Sequence, residues 1–239
     1  MIIGHRGAAG HAPENTPASF AAAVALGVDA VEFDVQFTAD GYPVVFHDET
    51  LQRMAGVPAR VRDHTESVLR CFDVGFLHGD EHRGERIPAV RQVAEMVPPG
   101  VGLHVEIKDY DQVSDDHLRR LVETLRGSGA LDRAIFSSPH EEILSAIRGI
   151  SPDLPVALLI FRSVKVPTDA ARRAAYIGCS AVCPNQALVD DDLVSVCHRH
   201  RMRVFPFTVN ERGTMRKLTN AGVDGFYTDY PDRFREEAP

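Results

Sequence analysis

Short apolar runs alternate along the whole chain with segments in which apolar residues recur every three or four positions. The short runs are typical of β-strands, and the second pattern is typical of amphipathic helices. Strands are predicted at 1–4, 30–35, 43–46, 102–107, 134–138, 155–160, 181–184, 203–208 and 224–228. Helices are predicted at 17–27, 90–96, 117–126, 141–150, 168–175, 190–200 and 211–221.

A strand followed by a helix, repeated about eight times, predicts an α/β fold whose parallel strands close into a (β/α)8 TIM barrel. The run at 43–46 is counted as a hairpin partner or an extra strand. The polar segment 51–86 interrupts the alternation, so we expect a small inserted loop region after the second or third strand. An open, doubly wound sheet is the alternative. No linker marks a boundary, and 1–239 is predicted to be a single domain.

Composition narrows the possible partners. The 239 residues carry a formal net charge of −8, which argues against a binder of nucleic acid or of anionic membranes, because such proteins gather cations. There is no signal-like segment and no apolar run of about 18 residues, so we expect a cytoplasmic protein without stable membrane insertion. The predicted partner is a small molecule, and the oligomeric state stays open.

Four cysteines are too few for a disulfide framework in a chain of this length. Cys179 and Cys183, with His198 and His200 downstream, leave a zinc site open as an alternative. Cys183 lies in a short apolar run, however, and no second close cysteine pair follows. We therefore expect buried structural thiols.

Two predicted strands carry ionisable residues on one face. Glu32 and Asp34 are two positions apart, so their side chains share one face of their strand, and Glu106 and Lys108 repeat this spacing later in the chain. Adjacent carboxylates inside a barrel need a shared proton or a cation. Three carboxylates offer the oxygen ligands that suit one Mg²⁺ or Ca²⁺ ion. An exposed polar edge strand is the alternative interpretation.

Two histidines stand at the ends of apolar strands. His5 and Arg6 follow the first strand between glycines that allow a ligand to approach the backbone closely, and His47 follows the run at 43–46. Barrel enzymes keep their reactive groups at strand ends. Either histidine alone is more often a structural residue, but the two together with the acids favour a site.

Cleavage of a phosphodiester would use the whole set. The reaction needs a base for the nucleophile and an acid for the alkoxide leaving group, and histidine serves either role because it titrates near the working pH. A metal ion, Arg6 and Lys108 would neutralise the phosphate charge in the transition state.

The chain resembles the glycerophosphodiester phosphodiesterase family, whose members adopt a (β/α)8 barrel. Each motif that carries the resemblance is weak alone, but the ordered series is specific and spans nearly the whole chain. The motifs are His5-Arg6-Gly7, Pro13-Glu14-Asn15-Thr16, Glu32-Phe33-Asp34-Val35, His47-Asp48, Ile87-Pro88, Val105-Glu106-Ile107-Lys108, Phe136-Ser137, Pro184-Asn185, Thr208-Val209-Asn210, Gly222-Val223-Asp224-Gly225 and Thr228-Asp229-Tyr230-Pro231.

The resemblance implies three sets of site residues. The implied metal ligands are Glu32, Asp34 and Glu106. The implied acid–base pair is His5 and His47. The implied phosphate and substrate contacts are Arg6, Lys108, Glu14 and Phe207. The expected reaction is metal-dependent hydrolysis of a glycerophosphodiester to glycerol 3-phosphate and an alcohol. Which histidine is the acid, and whether water or a glycerol hydroxyl attacks first, stays open.

Four positions fit the resemblance less directly. Phe207 stands where the family usually has tryptophan, which leaves the shape of the alcohol pocket open. His104 stands where an uncharged residue is expected, and we interpret it as a satisfied core histidine. Asn15 suits helix capping as well as a site, and Asp229 is equally well explained as a turn acid.

Two rival functions remain. A lysophospholipase D or phospholipase C type enzyme would favour an apolar rim, for which the polar segment 51–86 gives little sign. A non-catalytic barrel that binds phosphorylated glycerol compounds conflicts with the presence of every expected catalytic residue.

Overall fold

The computed structural model describes residues 1–108 and 113–234. Its strands are β1 Ile2–Gly4, β2 Ala30–Phe37, β3 Pro43–Val45, β4 Gly102–Ile107, β5 Ala134–Ser138, β6 Val156–Ile160, β7 Ala181–Pro184, β8 Arg203–Val204 and β9 Phe226–Thr228. Its helices are α1 Pro17–Ala25, α2 Gln52–Ala55, α3 Glu66–Leu69, α4 Val90–Met96, α5 Asp115–Gly127, α6 Glu141–Ile150, α7 Pro167–Ile177, α8 Asp191–Arg199 and α9 Arg212–Asn220.

The parallel strands form a nearly closed barrel in the order β8-β7-β6-β5-β4-β2-β1-β9, and β3 pairs with β2 off this path. Backbone hydrogen bonds cross the seam between β8 and β9. Asp224 N–H donates to the carbonyl of Val204 at 3.0 Å, and Tyr227 N–H donates to the carbonyl of Pro206 at 3.0 Å. The predicted (β/α)8 barrel is confirmed, and the open doubly wound sheet is not observed.

The alternation of side chains along β2 directs two carboxylates into the barrel. The face that packs under the helices consists of Val31, Phe33 and Val35. Glu32 and Asp34 alternate with these residues and are buried on the opposite face. Asp34 lies opposite Glu106 of β4 in the parallel register. The three acids therefore meet inside one end of the barrel.

A hairpin returns the chain to the level of these acids. β3 runs antiparallel to β2, with Val45 opposite Val35, and Phe46 N–H donates to the carbonyl of Asp34 at 2.9 Å. The next residue is His47. It therefore reaches the site from a hairpin strand outside the barrel order, rather than from the end of a barrel strand.

The strand predicted at 203–208 is too long, because β8 ends at Val204. Pro206 has no amide hydrogen and cannot extend a ladder of hydrogen bonds. The chain stays beside β7, since Phe207 N–H donates to the carbonyl of Pro184 at 3.0 Å. Conversely, β2 extends past the predicted residue 35 to Phe37, because its last residues pair with β3.

Segment 51–86 contains α2, α3 and three 3-10 turns. Its apolar side chains pack with residues of the hairpin in a small cluster separate from the barrel core. The buried members of this cluster are Val44, Phe46, Leu51, Met54, Val61, Leu69, Val74 and Ile87. The segment is thus attached to the part of the chain that carries His47.

His104 lies in the barrel interior, only 3% exposed. Its Nδ1 is 2.9 Å from the hydroxyl of Tyr227, which is also 3.1 Å from Cys183 Sγ. Burial lowers the pKa of His104 to about 3. The side chain is therefore neutral and hydrogen-bonded, and its interpretation as a satisfied core histidine is confirmed.

The cysteines are all free. Cys179, Cys183 and Cys197 are buried, as expected, whereas Cys71 is exposed and does not fit the expectation of a buried thiol. Within the described ranges, the one group of three or more potential metal ligands is the carboxylate set of β2 and β4, so the zinc alternative lacks support. No helix in those ranges is long and apolar enough to cross a membrane.

Candidate active site

A cavity of about 510 Å³ opens at the end of the barrel where β1, β2 and β4 terminate. Its charged side is lined by six of the predicted site residues: His5, Arg6, Glu32, His47, Glu106 and Lys108. Phe207, with Leu159 and Phe161, lines another part. Asp34 is fully buried beside the other two acids. Glu14 is not a lining residue; it lies behind Arg6.

The loop after β1 is held in shape by helix α1. Arg6 and Gly7 both have positive φ angles, 51° and 88°, and a Cβ on Gly7 would lie 2.6 Å from the carbonyl carbon of Ser19. The Ser19 hydroxyl accepts from Ala8 N–H at 2.9 Å and donates to the carbonyl of Arg6 at 2.8 Å. This packing requires glycine at position 7 and fixes the backbone that carries His5 and Arg6.

The three carboxylates on β2 and β4 converge. One oxygen of each of Glu32, Asp34 and Glu106 lies within 4.8 Å of the others. Glu32 Oε2 accepts a hydrogen bond from Arg6 N–H at 2.8 Å, and Asp34 Oδ2 accepts one from the Asn15 side-chain amide at 2.7 Å. Asn15 therefore contacts a site acid directly, and it is not the cap of α1, because the N-cap residue is Thr16.

The pKa values of the three carboxyl groups shift in different directions. Burial, together with the negative charge of Asp34, raises the pKa of Glu32 to about 8. Burial also raises the pKa of Glu106. Burial acts in the same direction on Asp34, but the Lys108 and Arg6 cations outweigh it and lower the pKa of Asp34. The side chains present therefore supply too little positive charge for all three acids to be ionised near neutrality.

A divalent cation fits this set of donors. Glu32 Oε1 is buried and accepts no hydrogen bond from any residue in the described ranges, and such an atom is costly unless another partner satisfies it. The ligands are all hard carboxylate oxygens, and their spacing allows them to share one ion. Glu32, Asp34 and Glu106 could thus hold a divalent metal.

His5 is held at one ring nitrogen by an acid from the other end of the chain. Its Nδ1 is 2.7 Å from Asp229 Oδ1, and Asp229 Oδ2 accepts from the Asn210 amide at 2.7 Å. An ionised carboxylate can only accept, so Nδ1 donates and Nε2 is left for other partners. Burial alone would lower the pKa of His5, but the hydrogen bond with Asp229 and the charge of Glu32 outweigh it and raise this pKa.

His47 is also held at Nδ1 by a carboxylate, that of the next residue in the sequence, Asp48. Its Nδ1 is 2.6 Å from Asp48 Oδ1. Arg53, in α2, donates to both oxygens of Asp48 at 2.6 and 3.0 Å. Burial alone would raise the pKa of Asp48, but the hydrogen bonds from Arg53 and His47 outweigh it and lower this pKa. Asp48 is therefore ionised. Both cavity histidines therefore have a carboxylate on Nδ1, which leaves Nε2 for other partners; His5 Nε2 lies 4.0 Å from Glu32 Oε2.

Two cations lie beside the carboxylate cluster. Arg6 Nε is 3.3 Å from Asp34 Oδ2, and Arg6 Nη1 donates to Glu14 Oε1 at 2.8 Å. Lys108 Nζ lies 2.9 Å from Asp34 Oδ1 and forms an ion pair with Glu106. Burial alone would lower the pKa of both cations. Asp34 and Glu106 outweigh it and raise the pKa of Lys108. Asp34 and Glu14 likewise raise the pKa of Arg6. Both side chains are therefore cationic at neutral pH.

The uncharged side of the cavity has an aromatic wall. The rings of Phe161 and Phe207 meet edge to face, with centroids 5.7 Å apart and planes at 79°. Leu159 continues this apolar surface. A bound molecule would thus meet charges at one end and aromatic carbon at the other.

Sequence reasoning missed the partners that orient the histidines. The sequence explains Asp229 equally well as a turn acid, and it gives no signal for Arg53. The motif Thr228-Asp229-Tyr230-Pro231 was one signal for Asp229, but its contact with His5 spans 224 residues. No local pattern predicts such a contact.

The barrel and its site define a class: a metal-dependent enzyme of the (β/α)8 fold with two histidines beside a cation site. The sequence profile of the family described as "Glycerophosphoryl diester phosphodiesterase family" matches residues 5–233. A glycerophosphodiester phosphodiesterase of Caldanaerobacter subterraneus subsp. tengcongensis is 33% identical over 97% of this chain and 95% of its own length.

Solved structures agree with this match. A phosphodiesterase of Oleispira antarctica, in complex with the product sn-glycerol-3-phosphate, superimposes with a TM-score of 0.91 at 28% identity, covering 99% of this chain and 95% of that one. A glycerophosphodiester phosphodiesterase from Agrobacterium tumefaciens has a TM-score of 0.83 at 25% identity, covering 98% and 97%. The chain belongs to the glycerophosphoryl diester phosphodiesterase family.

Proposed function

We propose that this chain hydrolyses glycerophosphodiesters to sn-glycerol 3-phosphate and an alcohol, using His5 and His47 as the acid–base pair. The observation that carries the proposal is the pair of imidazoles in one cavity, each held at Nδ1 by a carboxylate. Cleavage of a diester needs one proton removed and one delivered. The product bound by the Oleispira relative supports the choice of glycerol phosphate.

Glu32, Asp34 and Glu106 are proposed to hold one divalent cation, Mg²⁺ or Ca²⁺, which when bound would supply electrostatic stabilisation of the phosphate charge. Support comes from the unsatisfied Glu32 Oε1 and from the raised pKa of Glu32. A cation held here should stabilise the fold. Thermal melts with and without Mg²⁺ or Ca²⁺ measure this independently of turnover, and Glu106→Gln should reduce the shift.

The histidines move protons through Nε2. One imidazole takes the proton of the attacking water or glycerol hydroxyl as its oxygen bonds to phosphorus, and the other, protonated, gives a proton to the alcohol oxygen as its bond to phosphorus breaks. Asp229 and Asp48 keep each ring oriented and stabilise its positive charge while it holds two protons. The raised pKa of His5 suits a group that carries a proton near neutral pH.

Arg6 and Lys108 are proposed to contact the phosphate oxygens. Both are cations and both line the cavity, so negative charge that develops in the transition state would find fixed partners there. Glu14 orients Arg6 through their hydrogen bond. The aromatic wall of Phe161 and Phe207 is proposed to receive the alcohol portion.

The first test is turnover of glycerophosphocholine, followed by release of sn-glycerol 3-phosphate. We expect activity with Mg²⁺ or Ca²⁺ and loss of activity in EDTA. His5→Ala and His47→Ala should each lower kcat by at least about 10²-fold. Full activity in EDTA, or no activity with any divalent ion, would contradict the proposal. Activity on lysophosphatidylcholine alone would favour the lipid-headgroup alternative.

The identity of the attacking group is tested by a ³¹P time course in ¹⁸O-labelled water. If a glycerol hydroxyl attacks first, a cyclic phosphate appears transiently. If water attacks directly, ¹⁸O enters glycerol 3-phosphate with no cyclic species under fast sampling.

We further propose that the chain is one domain in which segment 51–86 is an insertion, and that it works in the cytoplasm. The hydrophobic cluster shared by that segment and the hairpin supports the first point. The free cysteines, with three thiols buried, support a reducing compartment.

A further inference from the structure

Arg53 of α2 joins two acids that belong to different loops. Its Nε and Nη2 donate to the two oxygens of Asp48 at 2.6 and 3.0 Å. Its Nη1 and Nη2 donate to the two oxygens of Glu14 at 2.9 and 2.6 Å. One guanidinium group therefore forms a fork with each carboxylate, a geometry that the ammonium group of lysine cannot reproduce.

Each of these acids also contacts a side chain of the cavity. Asp48 Oδ1, one of the oxygens that Arg53 binds, is 2.6 Å from His47 Nδ1. Glu14 Oε1 accepts from Arg53 and also from Arg6 Nη1 at 2.8 Å. Arg53 is thus one side chain away from a histidine and from the arginine proposed to meet the phosphate.

The position of Arg53 is itself fixed by packing. The residues beside it in the sequence, Gln52 and Met54, belong to the same short helix, and Met54 is buried with Leu51 in the cluster that joins segment 51–86 to the hairpin. The helix that carries Arg53 is thus anchored on the same cluster as Phe46, which precedes His47. Segment 51–86 therefore supplies the cation that completes the surroundings of His47.

We propose that Arg53 is a positioning residue for catalysis, acting on His47 through Asp48 and on Arg6 through Glu14. The proposal rests on the proposed function, in which His47 transfers a proton. Asp48 is bound by both Arg53 and His47, so its carboxylate has one orientation. Without Arg53, Asp48 and Glu14 repel each other across the space that the guanidinium group fills, and the carboxylate turns away from its best alignment with the ring.

If Arg53 served only to stabilise the fold, its replacement would lower the melting temperature rather than kcat. The Arg53 side chain is 46% exposed, while its partners Glu14 and Asp48 are 16% and 25% exposed, so solvent screens these ion pairs from the arginine side and they contribute about 1 kcal/mol to folding stability. Replacement of Arg53 should therefore leave the melting temperature within about 4 °C of the wild type. Misalignment of a proton-transfer group, in contrast, costs on the order of 10- to 100-fold in rate.

The test compares Arg53→Met, Arg53→Lys and Arg83→Met in the full chain with glycerophosphocholine and saturating Mg²⁺. Arg83 is the matched control, because it is another arginine of segment 51–86 with an acidic partner, Asp80, at 2.9 Å and it does not line the cavity. We expect kcat to fall at least about 10-fold in Arg53→Met, to fall less in Arg53→Lys, and to stay within about twofold in Arg83→Met.

A double-mutant cycle with Asp48→Asn separates positioning from independent effects. Once Asp48→Asn has removed the acid, Arg53→Met should lower kcat by a smaller factor than it does in the wild type, and the remaining loss reports the path through Glu14 and Arg6. The ¹⁵N signals of the His47 ring should shift in Arg53→Met but not in Arg83→Met.

Three outcomes would overturn the inference: an Arg53→Met kcat within about twofold of the wild type, full multiplication of the two defects in the cycle, or unchanged His47 signals. His47→Ala distinguishes this failure from failure of the proposed function. If His47→Ala is active, the assigned role of His47 is wrong. If it is inactive while Arg53→Met is normal, only the role of Arg53 is wrong.

Discussion

Replacement of Asp229 by asparagine should change the tautomer of neutral His5, moving its ring proton from Nδ1 to Nε2. Asn210 cannot adjust to the change, because its Oδ1 already accepts from Asp229 N–H at 2.9 Å and from the Thr228 hydroxyl at 3.2 Å. The Asn210 amide must therefore continue to donate toward residue 229. In Asp229→Asn the new carbonyl oxygen faces Asn210, and the new NH₂ group faces His5 Nδ1.

The rate effect follows from the two contacts that change. The wild-type contact is a charge-assisted hydrogen bond of 2.7 Å between side chains only 17% and 25% exposed, which contributes about 1.5–3 kcal/mol. Two donors facing each other would leave an unsatisfied group at a further cost of about 1–3 kcal/mol. Neutral His5 avoids that contact by carrying its proton on Nε2, so an unprotonated Nε2 for a base, or a doubly protonated ring for an acid, is reached only by restoring the contact between two donors. Together these terms predict a fall in kcat of roughly 10²–10⁴-fold.

The assay is steady-state turnover of glycerophosphocholine at saturating divalent ion, with ¹⁵N spectra of the His5 ring as an independent measure of its tautomer. Asp232→Asn is the matched control, because Asp232 also holds a histidine, His11, at 2.6 Å, but at an exposed position outside the cavity lining. The reasoning is refuted if Asp229→Asn keeps kcat within about threefold of the wild type while His5→Ala is inactive, or if Nδ1 stays protonated.

Two further predictions concern stability. Without divalent ions, the raised pKa of Glu32, about 8 against an ordinary 4.5, means that the folded state binds a proton more tightly than the unfolded state. This contribution is complete below about pH 4.5 and is lost as the pH rises toward 8, so urea midpoints should fall across this window by the equivalent of up to about 5 kcal/mol. Glu32→Gln should flatten that slope, and an equally steep slope in the variant would contradict the assignment. Gly7→Ala should destabilise the fold by at least about 1 kcal/mol, because φ is +88° and the new Cβ would meet α1. Gly84→Ala is the control for left-handed strain alone, since its φ is +99° but no atom lies within 4 Å; equal losses in thermal melts would show that contact with α1 is unimportant.

The barrel and the grouping of the three carboxylates were predictable because both depend on local patterns. A spacing of two residues directs Glu32 and Asp34 to one face of a strand whatever the rest of the chain does. Alternation of strands with helices then implies parallel strands and carboxyl ends at one rim. Hence Glu32, Asp34 and Glu106 could be grouped from the sequence alone.

The environment of the histidines was not predictable in the same way. Asp229 meets His5 only because β9 pairs with β1, and Arg53 meets Glu14 across 39 residues because segment 51–86 folds back on the first loop. Side-chain contacts of this kind depend on tertiary packing that leaves no period in the sequence. The end of β8 was misplaced for a local reason, since Pro206 outweighed the apolar character of the run around it.

The pairing of β1 with β9 also determines when the enzyme can first work. His47 and Asp48 are neighbours in sequence, so this pair can form as soon as the hairpin region is folded. His5 and Asp229 are 224 residues apart, so their contact has to wait until β9 has been synthesised and has paired with β1. A nascent chain still lacking β9 therefore has the acids of the cation site but no partner for His5. Full activity toward phosphodiesters thus requires a chain whose barrel has closed.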